Sequence, residues 1–192
     1  MNNAFCFNAE IAFDQRNDEH HTAIHEAGHV IVAEHLEFPV LGGVSIIGNS
    51  FSAGRAGVHD LMDWNPEIAE QIAQVNCAGV AALRCLGVDE LSSTYGAQQD
   101  FDETAALIND HALPELEVHI KNAEAILSIP NNALKLKILA NHLLHFKKIS
   151  WDHVILIPDI VSGELSEPEF WYALELIENS LIISKQETDS GS

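Results

Sequence analysis

Over most of this chain, apolar residues recur with the 3.6-residue spacing of a buried helix face, and one early segment reads instead as short strands. The first helical stretch opens at Asn17 or Asp18, either of which can cap it. It runs to about Glu37, where Pro39 disfavours helical backbone at Phe38. A short strand follows at Val44-Ser45-Ile46-Ile47, introduced by Gly42-Gly43, and the turn-rich residues 48–57 have room for a second. The next helix has clear ends: Asn65 caps it, Pro66 fits its first turn and Gly87 closes it. Between them Ile68, Ile72, Val75, Gly79, Ala82, Leu83 and Leu86 form a core stripe, and Ala78, Gly79, Ala81 and Ala82 allow a close helix neighbour. A polar turn at residues 91–97 leads into a helix from about Gln98. Helices are expected at residues 115–129 and 131–148, with a short one after Ser150. A last one starts near Ser166, where Ser166-Glu-Pro-Glu169 resembles a capping box.

The expected fold is therefore mostly α with a small β-sheet (α+β): short edge strands in the N-terminal third and a C-terminal helical bundle. No internal repeat or clear linker interrupts the pattern. The expectation is one domain over residues 1–184, with residues 158–184 as a helical extension and 185–192 as a disordered tail. The 192 residues suffice for one core-bearing domain.

Charge narrows the partners. A net charge of −20 argues against nucleic acid and against anionic membrane surfaces, both of which attract basic faces. No apolar run approaches the roughly 18 residues of a membrane span, and the first 13 residues lack the basic start of a signal peptide. Three cysteines, Cys6, Cys77 and Cys85, form no CxxC pair. They read as free, mostly buried thiols in a reducing compartment, which together with the missing leader predicts a cytoplasmic protein.

The candidate chemistry lies in the first helix, at His25-Glu26-Ala27-Gly28-His29, an HExxH. Residues i and i+4 share a helix face, so both imidazoles can reach one ion. Zinc accepts neutral imidazole nitrogens at about 2.0–2.1 Å. It lowers the pKa of a water it binds towards about 7, and Glu26 is placed to take that water's proton. In a chain with 11 histidines such a pentapeptide can arise by chance. Its apolar flanks, Ala23-Ile24 and Val30-Ile-Val-Ala33, argue otherwise, because half-buried histidines need partners.

A catalytic zinc site takes three protein ligands and leaves one position open. His35 lies six residues past His29, about 240° further round a continuing helix, and so faces elsewhere. Glu67 and Glu70 occupy a solvated helix start, where acids are favoured by the helix dipole in any case. Asp100, after Gly96-Ala97, falls in another first turn and has the same ordinary reading. Asp102 would point about 200° away from it. Spacing alone leaves the third ligand open.

These motifs together resemble the peptidase domain of the FtsH-type ATP-dependent zinc metalloproteases. Thr22-Ala-Ile-His-Glu-Ala-Gly-His-Val-Ile-Val32 is similar to that family's zinc helix. Residues 39–47 are similar to its proline-led edge strand, and Cys77-Ala-Gly-Val-Ala-Ala82 to its small-residue helix. Tyr95-Gly-Ala-Gln-Gln-Asp-Phe101 is similar to its Gly-Ala-x-x-Asp motif. The resemblance covers residues 18–157 and implies a zincin-like HExxH helix. It implies one Zn2+ held by His25, His29 and Asp100, with Glu26 catalytic, and hydrolysis of peptides or unfolded proteins. It also implies a homo-oligomer or a separate ATPase partner, since these residues include no P-loop. Val44, Ser45, Ile46 and Ile47, read as an edge beside the zinc helix, would align an extended peptide. The family's Arg and Glu in the small-residue helix are replaced here by Val80 and Leu83. The competing expectation is a non-catalytic zinc-binding or adaptor protein of the same fold.

Overall fold

The computed structural model describes residues 18–38, 40–47, 55–58, 65–166 and 168–176. Residues 1–17 with Cys6, most of residues 48–57 and residues 185–192 lie outside the described residues. The chain order is α1 (Asp18–His35), β1 (Val40–Ser45), β2 (Arg55–Val58), α2 (Pro66–Cys85), α3 (Glu90–Ser93), α4 (Gln98–His111), α5 (Leu116–Leu127), α6 (Pro130–Phe146), β3 (Lys148–Ile149), α7 (Trp151–Val154) and α8 (Ile157–Ser162). Residues 168–176 are helical as well. The fold is mostly α with a small antiparallel sheet, as the periodicity predicts.

Local chemistry sets most boundaries. Asn65 Oδ1 accepts from the Ile68 amide at 2.9 Å and starts α2, with Pro66 in its first turn. Asp89 caps α3 through the Ser92 amide, and Ser150 caps α7 through that of His153. Ser166 and Glu169 form the return half of the expected capping box: the Ser166 amide donates to the Glu169 carboxylate at 2.9 Å, and its hydroxyl donates to the same oxygen. Two helices stop earlier than the pattern suggests. α1 ends at His35 because Glu37 turns left-handed (φ 59), which lets the Phe38 amide donate back to Ala33 O at 2.8 Å. α6 ends before Lys147 (φ 64), and the next two residues join the sheet.

That late pairing corrects one expectation. The sheet order is β2-β1-β3, so β1 is the middle strand. Val44 pairs with Ala56 on one side and Ile149 on the other, and Ser45 with Arg55 and Lys148. The Ile46 amide donates to Lys147 O at 2.8 Å. Val44, Ser45 and Ile46 therefore spend their backbone groups within the sheet, and Ile47, 62% exposed, lies past the end of the strand. They do not form an edge that a peptide could extend. Two paired residues carry no readable periodicity, which is why β3 escapes sequence inspection. Gly43 makes the approach of β3 feasible. It sits at φ +83 within the register shift of β1, and a Cβ there would lie 2.3 Å from Ile149 O.

The core is built on α1. Ile24, Val30 and Ile31 are essentially inaccessible, and full burial of each such side chain contributes about 1.5–3 kcal/mol. α1 packs against α2 and α6, and α2 packs in turn against α4 and α5. Gly28 sets the α1–α2 distance, because a Cβ there would lie 2.5 Å from Ala78 O and 2.7 Å from Ala82 Cβ. Val80 and Leu83 are buried in this layer. A charged contact comes from one residue further along: Arg84 Nη1 donates to both carboxylate oxygens of Glu117 on α5, at 3.1 and 3.2 Å. Cys77 and Cys85 are free thiols, but only Cys77 is buried. Eight residues leave them about 80° apart around the helix, which takes Cys85 off the core face. Among the described residues no helix is long and apolar enough to cross a membrane.

A second buried cluster fixes the C-terminal helices. His142 of α6 and His153 of α7 share a hydrogen bond of 2.6 Å between Nδ1 and Nε2. Phe146, Phe170 and Trp171 surround them. Trp171 thus helps anchor the last helix, whereas Tyr172 is 64% exposed.

Two outcomes test this packing. Gly28→Ala forces α2 away from α1 and lowers the unfolding free energy by about 1–3 kcal/mol in urea titrations; an unchanged midpoint would contradict the close contact. Burial pushes the His153 pKa down to about 4. Above pH 6.5 the ring is neutral both folded and unfolded. Between pH 6.5 and 4 the unfolded chain takes up a proton that the folded chain refuses, so stability falls as pH falls. Between pH 7.5 and 5.0 the wild type should lose about 1–2 kcal/mol more than His153→Phe.

Candidate metal centre

α1 presents His25 and His29 one turn apart, and α4 delivers Asp100 from its first turn. Gly96 at φ +88 turns the chain into α4, and the buried Ala97 seats its start against the core. Thr104, also buried, donates to Asp100 O at 2.7 Å. Its hydroxyl also lies 4.0 Å from the Cys77 sulfur, tying α4 to α2. Burial pushes the Cys77 thiol up to about 12, so it stays a neutral packing group and not a thiolate ligand.

Three ligand atoms converge. His25 Nε2 lies 3.0 Å from Asp100 Oδ2 and 3.0 Å from His29 Nε2, and His29 Nε2 lies 3.6 Å from Asp100 Oδ2. An ion bound tetrahedrally at ~2.0–2.1 Å sets its ligand atoms about 3.3 Å apart. The observed separations bracket that value, so the three atoms fit one metal ion without rearrangement. Among the described residues this is the one group of three or more His, Cys, Asp or Glu side chains close enough to hold an ion. Exposure rises across it: the side chains of His29, His25 and Asp100 are 9%, 14% and 24% exposed. The centre is closed on the α1–α2 side and open towards α4.

The surroundings prepare both imidazoles. His29 Nδ1–H donates to Val75 O on α2 at 2.7 Å, so that when Nε2 gives up its proton its lone pair faces the centre. Gly79, one turn further along α2, lies under the His25 ring. Burial lowers the His25 pKa against the opposing pull of Asp100. Burial acts the same way on His29, but the Asp100 carboxylate outweighs it and lifts the pKa to about 9. Burial raises Asp100 too, yet His29 and His25 together hold it below the usual carboxylate range. An incoming cation therefore replaces a proton shared between His29 and Asp100.

Glu26 follows His25 and is 6% exposed. Burial pushes its carboxyl up to about 7. It lies outside the ligand set, beside it. The rejected alternatives are placed as helical geometry predicts. His35 is exposed near Asn132, and Asp102 accepts from Gln98 on the surface of α4. Glu67 is exposed at the start of α2. Val75 and Gly79 were not singled out as site residues in the sequence. The signal was there in the small-residue stripe of α2, which foretold a close helix neighbour.

No protein-family model matches the chain, and no curated protein matches it. The centre should take up one divalent transition-metal ion per chain. His29→Ala and Asp100→Ala should each weaken binding more than the ~10–100-fold typical of an outer-shell change, whereas Glu26→Gln should bind within about tenfold of wild type. Isothermal titration with a competing chelator measures this, and undiminished affinity in Asp100→Ala would remove it from the ligand set.

Proposed function

We propose that the chain is a zinc-dependent metallopeptidase of FtsH-like type that hydrolyses peptides or unfolded proteins. The observation that carries this reading is the convergence of His25 Nε2, His29 Nε2 and Asp100 Oδ2 beside a buried carboxylate of nearly neutral pKa. Two imidazoles and one carboxylate form a donor set that suits zinc, with one coordination position left for the reaction. Zinc bound there would supply Lewis acidity and an acidified water.

The chain's own residues divide the remaining work. His25, His29 and Asp100 would hold the ion from two helices, with Val75 O orienting the His29 ring. The Glu26 carboxylate accepts a proton at one oxygen and returns it to the departing amine nitrogen. A base with a pKa near the working pH suits both halves of that task. The more open Asp100 side is where a substrate carbonyl would enter. Residues 44–47 have no part in this reading, because β1 is internal to the sheet; β2 and β3 are the outer strands. The resemblance adds that force for unfolding substrates would come from a separate ATPase partner.

Glu26→Gln should keep its zinc and lose about 10²–10⁴-fold in kcat on casein or short peptides. Chelation should abolish wild-type hydrolysis, and zinc should restore it. Turnover retained in Glu26→Gln would contradict the mechanism. Zinc bound stoichiometrically by a wild type that hydrolyses nothing would favour the non-catalytic adaptor reading.

A further inference from the structure

We infer that Gly79 is a positioning residue for the metal centre: its missing side chain is what allows the His25 ring to lie where it ligates. The inference rests on the metal-binding reading of His25, His29 and Asp100. A Cβ built at Gly79 would lie 2.3 Å from His25 Cε1, 2.4 Å from Nδ1 and 2.5 Å from Nε2. Three nearly equal distances to neighbouring ring atoms put that carbon over the face of the imidazole and not at its rim. The ring therefore rests flat on the α2 backbone.

Magnitudes make this consequential. An ordinary carbon contact begins near 3.4 Å. Any side chain at position 79 must push the ring about 1 Å outward, whereas a metal site tolerates errors of about 0.2 Å in its ligand distances. Movement of His25 would also disturb its Nε2, which is 3.0 Å from both Asp100 and His29. Glycine inside a 20-residue helix is less favourable than alanine at the same place. Here α2 accepts that handicap at the turn that faces His25. Val75 and Gly79, four residues apart, meet His29 and His25, also four apart: a carbonyl orients one ring and an absent side chain seats the other. Gly28 differs in kind, because a Cβ there meets α2 itself and not a ligand.

The test is a double-mutant cycle on the metal-free chain, combined with titration by Zn2+ and Co2+. Gly79→Ala should lower the Tm of the metal-free protein, and in a His25→Ala background the same substitution should raise it, because the ring is gone and alanine favours the helix. With His25 present, Gly79→Ala should weaken Zn2+ binding at least ~10-fold and change the visible spectrum of bound Co2+. Equal Tm effects of Gly79→Ala in both backgrounds would overturn the inference. So would a double variant that fails to fold, since Gly79 would then be packing against something other than His25. Wild-type Zn2+ affinity and an unchanged Co2+ spectrum in Gly79→Ala would overturn it while leaving the metal centre standing. A wild type that takes up neither ion would remove the metal centre, and the Tm cycle would still decide whether Gly79 seats the ring.

Discussion

The close approach of α1 and α2 is the constraint on which the rest of this molecule depends. Gly28 faces Ala78 and Ala82, with no space for another carbon. At that distance the α2 backbone stops being a distant wall and becomes part of the site. Val75 O reaches His29, and Gly79 receives the ring of His25. Had the helices been separated by side chains of ordinary size, neither imidazole would have been held by a rigid neighbour, and both would keep the rotamer freedom of surface histidines. Packing and chemistry therefore share one cause. Gly28, Ala78 and Ala82 bring the helices together, and at that distance Val75 and Gly79 meet the two imidazoles.

Electrostatics complete what packing begins. Two imidazoles and a carboxylate lie within hydrogen-bonding range in a partly dry environment, where charge left uncompensated is costly. Without a cation, one proton shared by His29 and Asp100 satisfies the cluster. A metal ion could satisfy all three groups at once. Glu26 shares in this balance through the charges of His29 and Asp100, but burial dominates and raises its pKa to about 7, where a proton can be taken and given back.

Much of this was legible in the sequence, and the parts that were not share a physical reason. α1 and α2 were readable because long amphipathic stretches with Asn65, Pro66 and Gly87 at their ends satisfy periodicity and capping together. His25, Glu26 and His29 were readable because i, i+4 spacing defines a helix face, and the same geometry correctly set His35 and Asp102 aside. Asp100 was different: nothing local separates it from any acid in a first turn, and its role depends on where α4 meets α1. Tertiary placement was likewise needed to see β3. Two residues that pair 103 and 105 positions from their partners leave no pattern, and without them β1 reads as an edge. Cys85 was misread because eight residues leave about 80° of rotation on a helix, enough to leave the core.

The most direct measurement is diffraction from zinc-soaked crystals of the wild-type chain at wavelengths on either side of the zinc absorption edge. One anomalous peak per chain, about 2.0–2.2 Å from His25 Nε2, His29 Nε2 and an Asp100 carboxylate oxygen, is the expected result. A peak that leaves Asp100 uncoordinated, one closed by a fourth protein ligand, or no peak between α1 and α4 would contradict an open catalytic centre built by these three residues.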